Sequence, residues 1–191
     1  MPEFNELDVA ILVARALESL GLRYLIGGSL ASSLHGVPRS SHDADLLAEV
    51  PPASADAIAR LLEPQFYVDA SMIRDAIRHR ISFNVIHYDS GFKVDVFVMT
   101  GDALLQEEMQ RRQPHDVGDA AGPVFFATAE DIVLQKLAWY RAGGESSERQ
   151  WTDVLGIVKV QGSRLDLVYA RRWAPVAGVA DLLERALDES C

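Results

Sequence analysis

The sequence has little of what several protein classes require. Its 191 residues include one cysteine, Cys191, so neither an intrachain disulfide nor a thiolate metal site can form. No apolar run approaches the roughly 20 residues that a membrane-spanning helix needs, and no basic stretch precedes the first apolar segment as in a secretory signal. These absences predict a cytoplasmic protein that does not contact a membrane.

Positive charge is also scarce. The chain has 18 Lys and Arg residues against 28 Asp and Glu residues, which gives a formal net charge of −10. Because affinity for a phosphate backbone requires a positive surface, this balance predicts a poor general binder of nucleic acid, although a local basic surface is compatible with it. The chain also lacks a Walker lysine and a G-x-G-x-x-G run, so P-loop and Rossmann sites are not predicted.

What remains is the composition of a packed α/β protein. Hydrophobic residues make up 49% of the chain and charged residues 24%, which is ordinary for a globular domain. Strand and helix patterns alternate up to about residue 126, and "ISFNVIHYDSGFKVDVFVM" is typical of an antiparallel hairpin. From Thr128 onward every pattern is helical. We therefore expect an α/β domain over residues 1–126 and a C-terminal helical lobe over residues 127–191.

Two aspartates in one apolar segment, "DADLLAEV", are the first chemical signal. Asp43 and Asp45 are two residues apart, so in a strand their carboxylates point to the same face. Like charges beside a buried sheet repel each other and lose hydration unless a cation compensates them. A divalent metal is one such cation, whereas a turn-capping Asp43 and a solvated Asp45 are the alternative for this short motif alone.

A glycine turn precedes this pair. A short strand, "RYLI", leads into Gly27, Gly28 and Ser29 and then into a helical pattern. Glycine allows close approach of a ligand to the backbone, and amides at a helix start favour a phosphate group. An ordinary tight turn capped by Ser29 explains the same residues equally well.

A third aspartate lies within the later strand pattern "FKVDVFV". If this strand neighbours the first, Asp95 completes a set of three carboxylates with Asp43 and Asp45. Such a set can hold two metal ions for in-line displacement at phosphorus. Lys93 points to the same face as Asp95, so a contact between these two side chains is the competing interpretation.

Together, "GGSLASSLHGVPRSSHDADLL" and "FKVDVFV" resemble the nucleotidyltransferase superfamily related to DNA polymerase beta. The pattern is similar in particular to minimal nucleotidyltransferases of the abortive-infection toxin type, with Arg39 in the position of a motif arginine. Relatives of that type also carry a helical lysine, arginine and aspartate, which "LQKLAWYRAGGESSERQWTDVLGI" supplies as Lys136, Arg149 and Asp153. The resemblance covers roughly residues 20 to 160.

The resemblance implies a mixed β-sheet flanked by helices and Mg²⁺-dependent transfer of a nucleoside monophosphate from an NTP such as ATP. It implies that Asp43, Asp45 and Asp95 are both metal ligands and catalytic residues, with Asp95 also activating the acceptor hydroxyl. The residues implied in holding the nucleotide phosphates are Gly27, Gly28, Ser29, Arg39 and Lys136.

The acceptor and the partners stay open at this point. RNA, a protein and a small molecule are all compatible with the motifs, as are an antitoxin partner and a homo-oligomer. A catalytically inactive binding module with the same fold is the main alternative. A D-x-D glycosyltransferase is a further one, although it would need a larger nucleotide-sugar domain than 191 residues offer.

Overall fold

The computed structural model describes residues 4–190 as nine α-helices and one seven-stranded mixed sheet. Cys191 lies outside the described residues. The helices are α1 Glu6–Ser19, α2 Gly28–His35, α3 Ala55–Leu62, α4 Ala70–His79, α5 Ala103–Arg111, α6 Ala129–Ala142, α7 Glu148–Gln161, α8 Leu167–Trp173 and α9 Ala180–Ser190. The strands are β1 Tyr24–Ile26, β2 Asp43–Ala48, β3 Phe66–Tyr67, β4 Ser82–His87, β5 Lys93–Val98, β6 Gln113–His115 and β7 Val124–Phe126. The expected fold class is confirmed.

Local sequence signals account for several of these boundaries. The Asn5 side chain accepts a hydrogen bond from the amide of Asp8, and the Asp8 side chain accepts one from the amide of Asn5. This capping box starts α1. Thr128 caps α6, at the residue from which the sequence patterns are all helical. Ser147 caps α7.

The sheet has the order β3-β4-β5-β2-β1-β7-β6. β2 runs antiparallel to β1 and parallel to β5, and β4 and β5 form the predicted antiparallel hairpin. Alternate residues of β5 are buried, namely Val94, Val96 and Val98. Helices α1 and α4 contact the strands, and helix α3 packs against both of these helices. One face of β5 is therefore covered by helices.

The chain divides into two compact units. The first comprises residues 1–30 and 40–126 and contains the sheet, and the second comprises residues 31–39 and 127–191. In the second unit, α6 contacts α7, α8 and α9, and its Ile132, Leu134 and Leu137 are fully buried. The sequence-based limits 1–126 and 127–191 differ from this division by residues 31–39 and stay a prediction.

Within residues 4–190, each helix is too short or too polar to cross a lipid bilayer.

Candidate active site

Strands β2 and β5 bring the three predicted aspartates onto one face of the sheet. In the parallel register, Asp45 is the partner of Asp95, and Asp43 is the partner of Lys93. Side chains two residues apart on a strand share a face, so all four charged groups lie on the face opposite buried Val94 and Val96. The expected adjacency of the two strands is confirmed.

The glycine turn lies against the second aspartate. Gly28 has a φ of +53°, and a Cβ atom placed on it would lie 1.8 Å from Oδ2 of Asp45. A side chain at residue 28 is therefore excluded twice, by the left-handed backbone and by the space that Asp45 occupies. The amide of Gly27 donates a hydrogen bond to the carbonyl oxygen of Asp45, at 2.8 Å.

Ser29 fixes the turn to the same strand. Its hydroxyl donates a hydrogen bond to the carbonyl oxygen of Asp43, at 3.2 Å, and the side chain is buried. The turn and the D-x-D strand are thus joined by hydrogen bonds at both Gly27 and Ser29. The contacts of this turn hold Asp45 in place, a role that the motif analysis did not anticipate.

The ammonium group of Lys93 lies among the carboxylates. Its Nζ is 2.8 Å from Oδ2 of Asp95 and 3.7 Å from Oδ1 of Asp43, so the contact that the sequence offered as an alternative is present. The hydrogen bond with Asp95 raises the pKa of Lys93 above its ordinary value, and the charges of Asp43 and Asp45 add to the increase.

These carboxylates are the type of ligand that a magnesium site requires. Mg²⁺ prefers oxygen ligands and is usually held by one or two carboxylates together with substrate phosphates and water. Asp43 and Asp95 already share one cation, Lys93. Over residues 4–190, however, no group of three or more His, Cys, Asp or Glu side chains is placed so that it could hold a metal ion. A metal ion bound by all three aspartates therefore stays a prediction.

Arg39, Lys136 and Asp153 form an ion-paired group within the helical unit. Nε and Nη2 of Arg39 each donate to a different oxygen of Asp153, both at 2.8 Å. Nζ of Lys136 donates to Oδ2 of Asp153 at 2.7 Å and to Oε1 of Gln150 at 3.1 Å. Lys136 and Asp153 are both buried, so the structure places Lys136 in the interior rather than on a helix surface.

The charges of this group stabilise one another. Burial opposes the ionised carboxylate of Asp153, but the hydrogen bonds from Arg39 and Lys136 outweigh it and hold the pKa of Asp153 below its ordinary value. The same hydrogen bond raises the pKa of Arg39. Asp153 therefore fixes the positions of two cations, and roles for Arg39 and Lys136 in phosphate binding stay predictions.

Motif reasoning underestimated two residues of these groups. Lys93 was weighed only as a competitor for Asp95, although its position opposite Asp43 follows from the strand register. Asp153 had a weak signal, because a lone helix aspartate is usually exposed. The order of Lys136 and Asp153 in the predicted helices was the available clue to their pairing.

Known proteins match this chain in structure rather than in sequence. No family model matches the chain, and no curated protein matches it. A nucleotidyltransferase-like protein from Paracoccidioides brasiliensis has 19% identity and a TM-score of 0.54, over 96% of this chain and 92% of that chain.

Two antibiotic-modifying proteins have similar structures. ANT(2")-Ia in complex with adenylyl-2"-tobramycin has 14% identity and a TM-score of 0.53, over 88% of this chain and 95% of that chain. The lincosamide antibiotic adenylyltransferase LnuA, bound to lincomycin, has 12% identity and a TM-score of 0.52, over 79% and 95%. At these identities the likeness concerns the fold alone, and the chain shares its fold with these nucleotidyltransferase-like and adenylyltransferase structures.

Proposed function

We propose that the protein is a Mg²⁺-dependent nucleotidyltransferase that transfers a nucleoside monophosphate from an NTP to a hydroxyl acceptor. The observation that supports it most is the convergence of Asp43, Asp45 and Asp95 on one face of two parallel strands. The packing of Gly28 against Asp45 adds to it, because this turn is built around the position of that carboxylate. The fold is compatible with the same chemistry.

The proposed reaction is an in-line displacement at the α-phosphorus of the NTP. The acceptor oxygen forms a bond to phosphorus, and the bond to the bridging oxygen breaks, so that its electron pair leaves with pyrophosphate. Asp43, Asp45 and Asp95 would hold Mg²⁺, which when bound neutralises charge on the phosphates. The carboxylate of Asp95 would accept the proton of the acceptor hydroxyl.

Phosphate binding is assigned to two groups of residues. The backbone of Gly27 and Gly28 and the start of α2 at Ser29 would bind the β- and γ-phosphates, since helix-start amides favour anions. Arg39 and Lys136 would contribute positive charge. Both are ion-paired with Asp153.

Transfer of label from α-³²P-labelled NTPs tests this function. Each of the four NTPs is incubated with Mg²⁺ and wild-type protein, together with total RNA, cell protein or a hydroxyl-rich small molecule such as an aminoglycoside or a lincosamide. We expect labelled product with one acceptor class and loss of at least ~100-fold for Asp43→Asn, Asp45→Asn and Asp95→Asn. Asp89→Asn, in the exposed turn between β4 and β5, is the matched control and should retain activity.

Wild-type protein that labels none of the acceptors would contradict the proposed activity. So would an Asp95→Asn variant that transfers label as fast as the Asp89→Asn control. The small-molecule acceptors are chosen because two structural neighbours are bound to an antibiotic or its adenylylated product. If RNA or protein is labelled, growth arrest on expression, relieved in Asp43→Asn, would support a toxin that an antitoxin partner restrains.

A binding module without catalytic activity is the second candidate. The position of Lys93 favours it, because an ammonium group already compensates Asp43 and Asp95. That candidate predicts that calorimetry detects no Mg²⁺-dependent binding of NTP. Mg²⁺-dependent binding lost in Asp43→Asn would instead favour the enzyme.

A further inference from the structure

Lys93 is the one charged neighbour of opposite sign that the strand register places in the row of the aspartates. It is the register partner of Asp43 on the neighbouring strand β2 and precedes Asp95 by two residues on β5. Its Nζ contacts both carboxylates, and about a third of its side chain is exposed, with a relative accessibility of 36%. Lys93 is thus paired with both carboxylates without being enclosed by the protein.

One ammonium group compensates the cluster only in part. Asp43, Asp45, Asp95 and Lys93 together leave two formal negative charges. Carboxylates held this close repel one another unless a cation lies between them. A single positive charge bound to the two strands can hold them in register, while the remaining negative charge still attracts a divalent ion.

We propose that Lys93 is an internal counter-ion that occupies the carboxylate cluster in the metal-free protein and must leave it when a divalent cation binds. This inference rests on the proposed function, because it assigns the cation to the same three carboxylates. Lys93 is therefore a positioning residue, which keeps Asp43 and Asp95 together without metal and weakens metal binding by competition.

Mn²⁺ binding without nucleotide tests the proposal without relying on activity. Free Mn²⁺ is measured by electron paramagnetic resonance during titration of metal-free wild type, Lys93→Met and Lys159→Met. Lys159 lies on the exposed side of α7, so Lys159→Met changes the net charge by the same amount away from the cluster. We expect Lys93→Met to bind Mn²⁺ roughly tenfold more tightly than wild type, because the ion no longer has to displace an ammonium group from the carboxylates.

Thermal unfolding provides a second readout. In EDTA, Lys93→Met should unfold at a lower temperature than wild type, because its carboxylates repel one another without compensation. Added Mn²⁺ should raise the unfolding temperature of Lys93→Met by more than it raises that of wild type. Lys159→Met should match wild type in both measurements. If Lys93→Met does not fold, Lys93→Gln replaces it in the same design.

The outcomes separate this inference from the proposed function. The counter-ion role is overturned if Lys93→Met binds Mn²⁺ no more tightly than wild type does. If wild type in the same experiments binds Mn²⁺ and transfers label, the proposed function is retained. Tighter Mn²⁺ binding by Lys93→Met with no label transfer by wild type supports the counter-ion and contradicts the enzyme. Absence of Mn²⁺ binding in both proteins overturns the counter-ion role, whereas label transfer alone decides the proposed function.

Discussion

A methyl group at residue 28 would collide with the carboxylate that the glycine turn surrounds. The ideal Cβ position lies 1.8 Å from Oδ2 and 2.8 Å from Cβ of Asp45, so rotating the Asp45 side chain cannot relieve the overlap fully. The backbone of the turn at Gly28 and the position of the Asp45 side chain on β2 therefore constrain each other. This dependence makes Gly28 a sensitive test of the site.

We predict that Gly28→Ala both destabilises the protein and abolishes transfer. Gly91→Ala is the matched control, since Gly91 also has a positive φ, +70°, but nothing within 4 Å of its Cβ position. The left-handed backbone costs each variant about 1 kcal/mol, and overpacking adds roughly 1–3 kcal/mol in Gly28→Ala alone. Urea unfolding measures this difference, and label transfer should fall at least ~100-fold only in Gly28→Ala. Equal stability and activity of the two variants would show that the contact with Asp45 is unimportant.

Asp153 gives a second residue-scale prediction. Asp153→Asn leaves buried Lys136 without its carboxylate partner and should cost roughly 3–5 kcal/mol of unfolding free energy at pH 7. Because folding lowers the pKa of Asp153, its contribution is fully present above the unfolded pKa of about 3.9 and is lost as the pH falls through the lower folded value. The cost of Asp153→Asn should therefore shrink below about pH 4.

Urea unfolding followed by circular dichroism between pH 3 and pH 7 measures that dependence. Asp56→Asn is the control, because Asp56 pairs with Arg74 at the surface and its side chain has a relative accessibility of 68%. Such exposed pairs contribute about 0–1 kcal/mol. A cost of Asp153→Asn that equals the control, or that grows as the pH falls, would contradict the ion-paired role.

At the residue scale, the sequence predicted the carboxylates better than their surroundings. Alternation in strands was sufficient to place Asp43 and Asp45 on one face, because the period of two is a property of the backbone. The partners of Lys136 were harder to predict. Asp153 and Gln150 lie on a different helix, and the depth of burial of a lysine depends on packing that local sequence does not encode.

At the scale of elements, most helices and strands carry local signals. The turn "DSG" predicted the β4–β5 hairpin, which the structure confirms, and the cap residue Asn5 is a local signal for the start of α1. Strand β6, Gln113–His115, was not predicted. It contains Pro114, which lacks an amide hydrogen, and it pairs with β7 at the sheet edge, where such a residue is tolerated. Its existence depends on its neighbour rather than on its own composition.

Hydrogen exchange should rank the strands by their position in the sheet. β2 and β5 each have a neighbouring strand on both sides, whereas β3 and β6 are the two edges. Buried, doubly paired strands open only with large-scale unfolding, and edges open locally. We expect the amides of residues 44–48 and 94–98 to exchange most slowly and those of Gln113 and His115 to exchange within the fastest class. Comparable protection of β6 and β5, measured by mass spectrometry, would contradict this topology.

At the scale of the whole molecule, the division into two units was only partly accessible from sequence. The change to helical patterns near residue 127 is visible, but the assignment of residues 31–39 to the helical unit is not. In the structure, Gly36 lies against Ile157 and Gly156 lies against Val37. Contacts between residues so distant in sequence leave no local pattern, so they could not be inferred from one chain.

Ligand binding gives the prediction at this scale. A ligand that binds only the folded protein stabilises it by about 2.7 kcal/mol at a hundredfold excess over its dissociation constant. For a chain of this size that corresponds to a rise of several degrees in unfolding temperature. We expect Mg²⁺ and a non-hydrolysable NTP together to produce this rise in wild type, and Asp43→Asn to show little of it. An equal rise in the two proteins would place the nucleotide away from the aspartates.

The proposed active site requires carboxylates of β2 and β5 to share a divalent cation beside the glycine turn. An anomalous diffraction map from crystals soaked with Mn²⁺ and a non-hydrolysable NTP tests this directly. We predict a peak within ligand distance of Asp95 and of Asp43 or Asp45, with the Lys93 ammonium displaced from Asp95 and the triphosphate beside Gly28. A nucleotide bound elsewhere, or a map without a peak at these aspartates and with Lys93 still paired to Asp95, would contradict it.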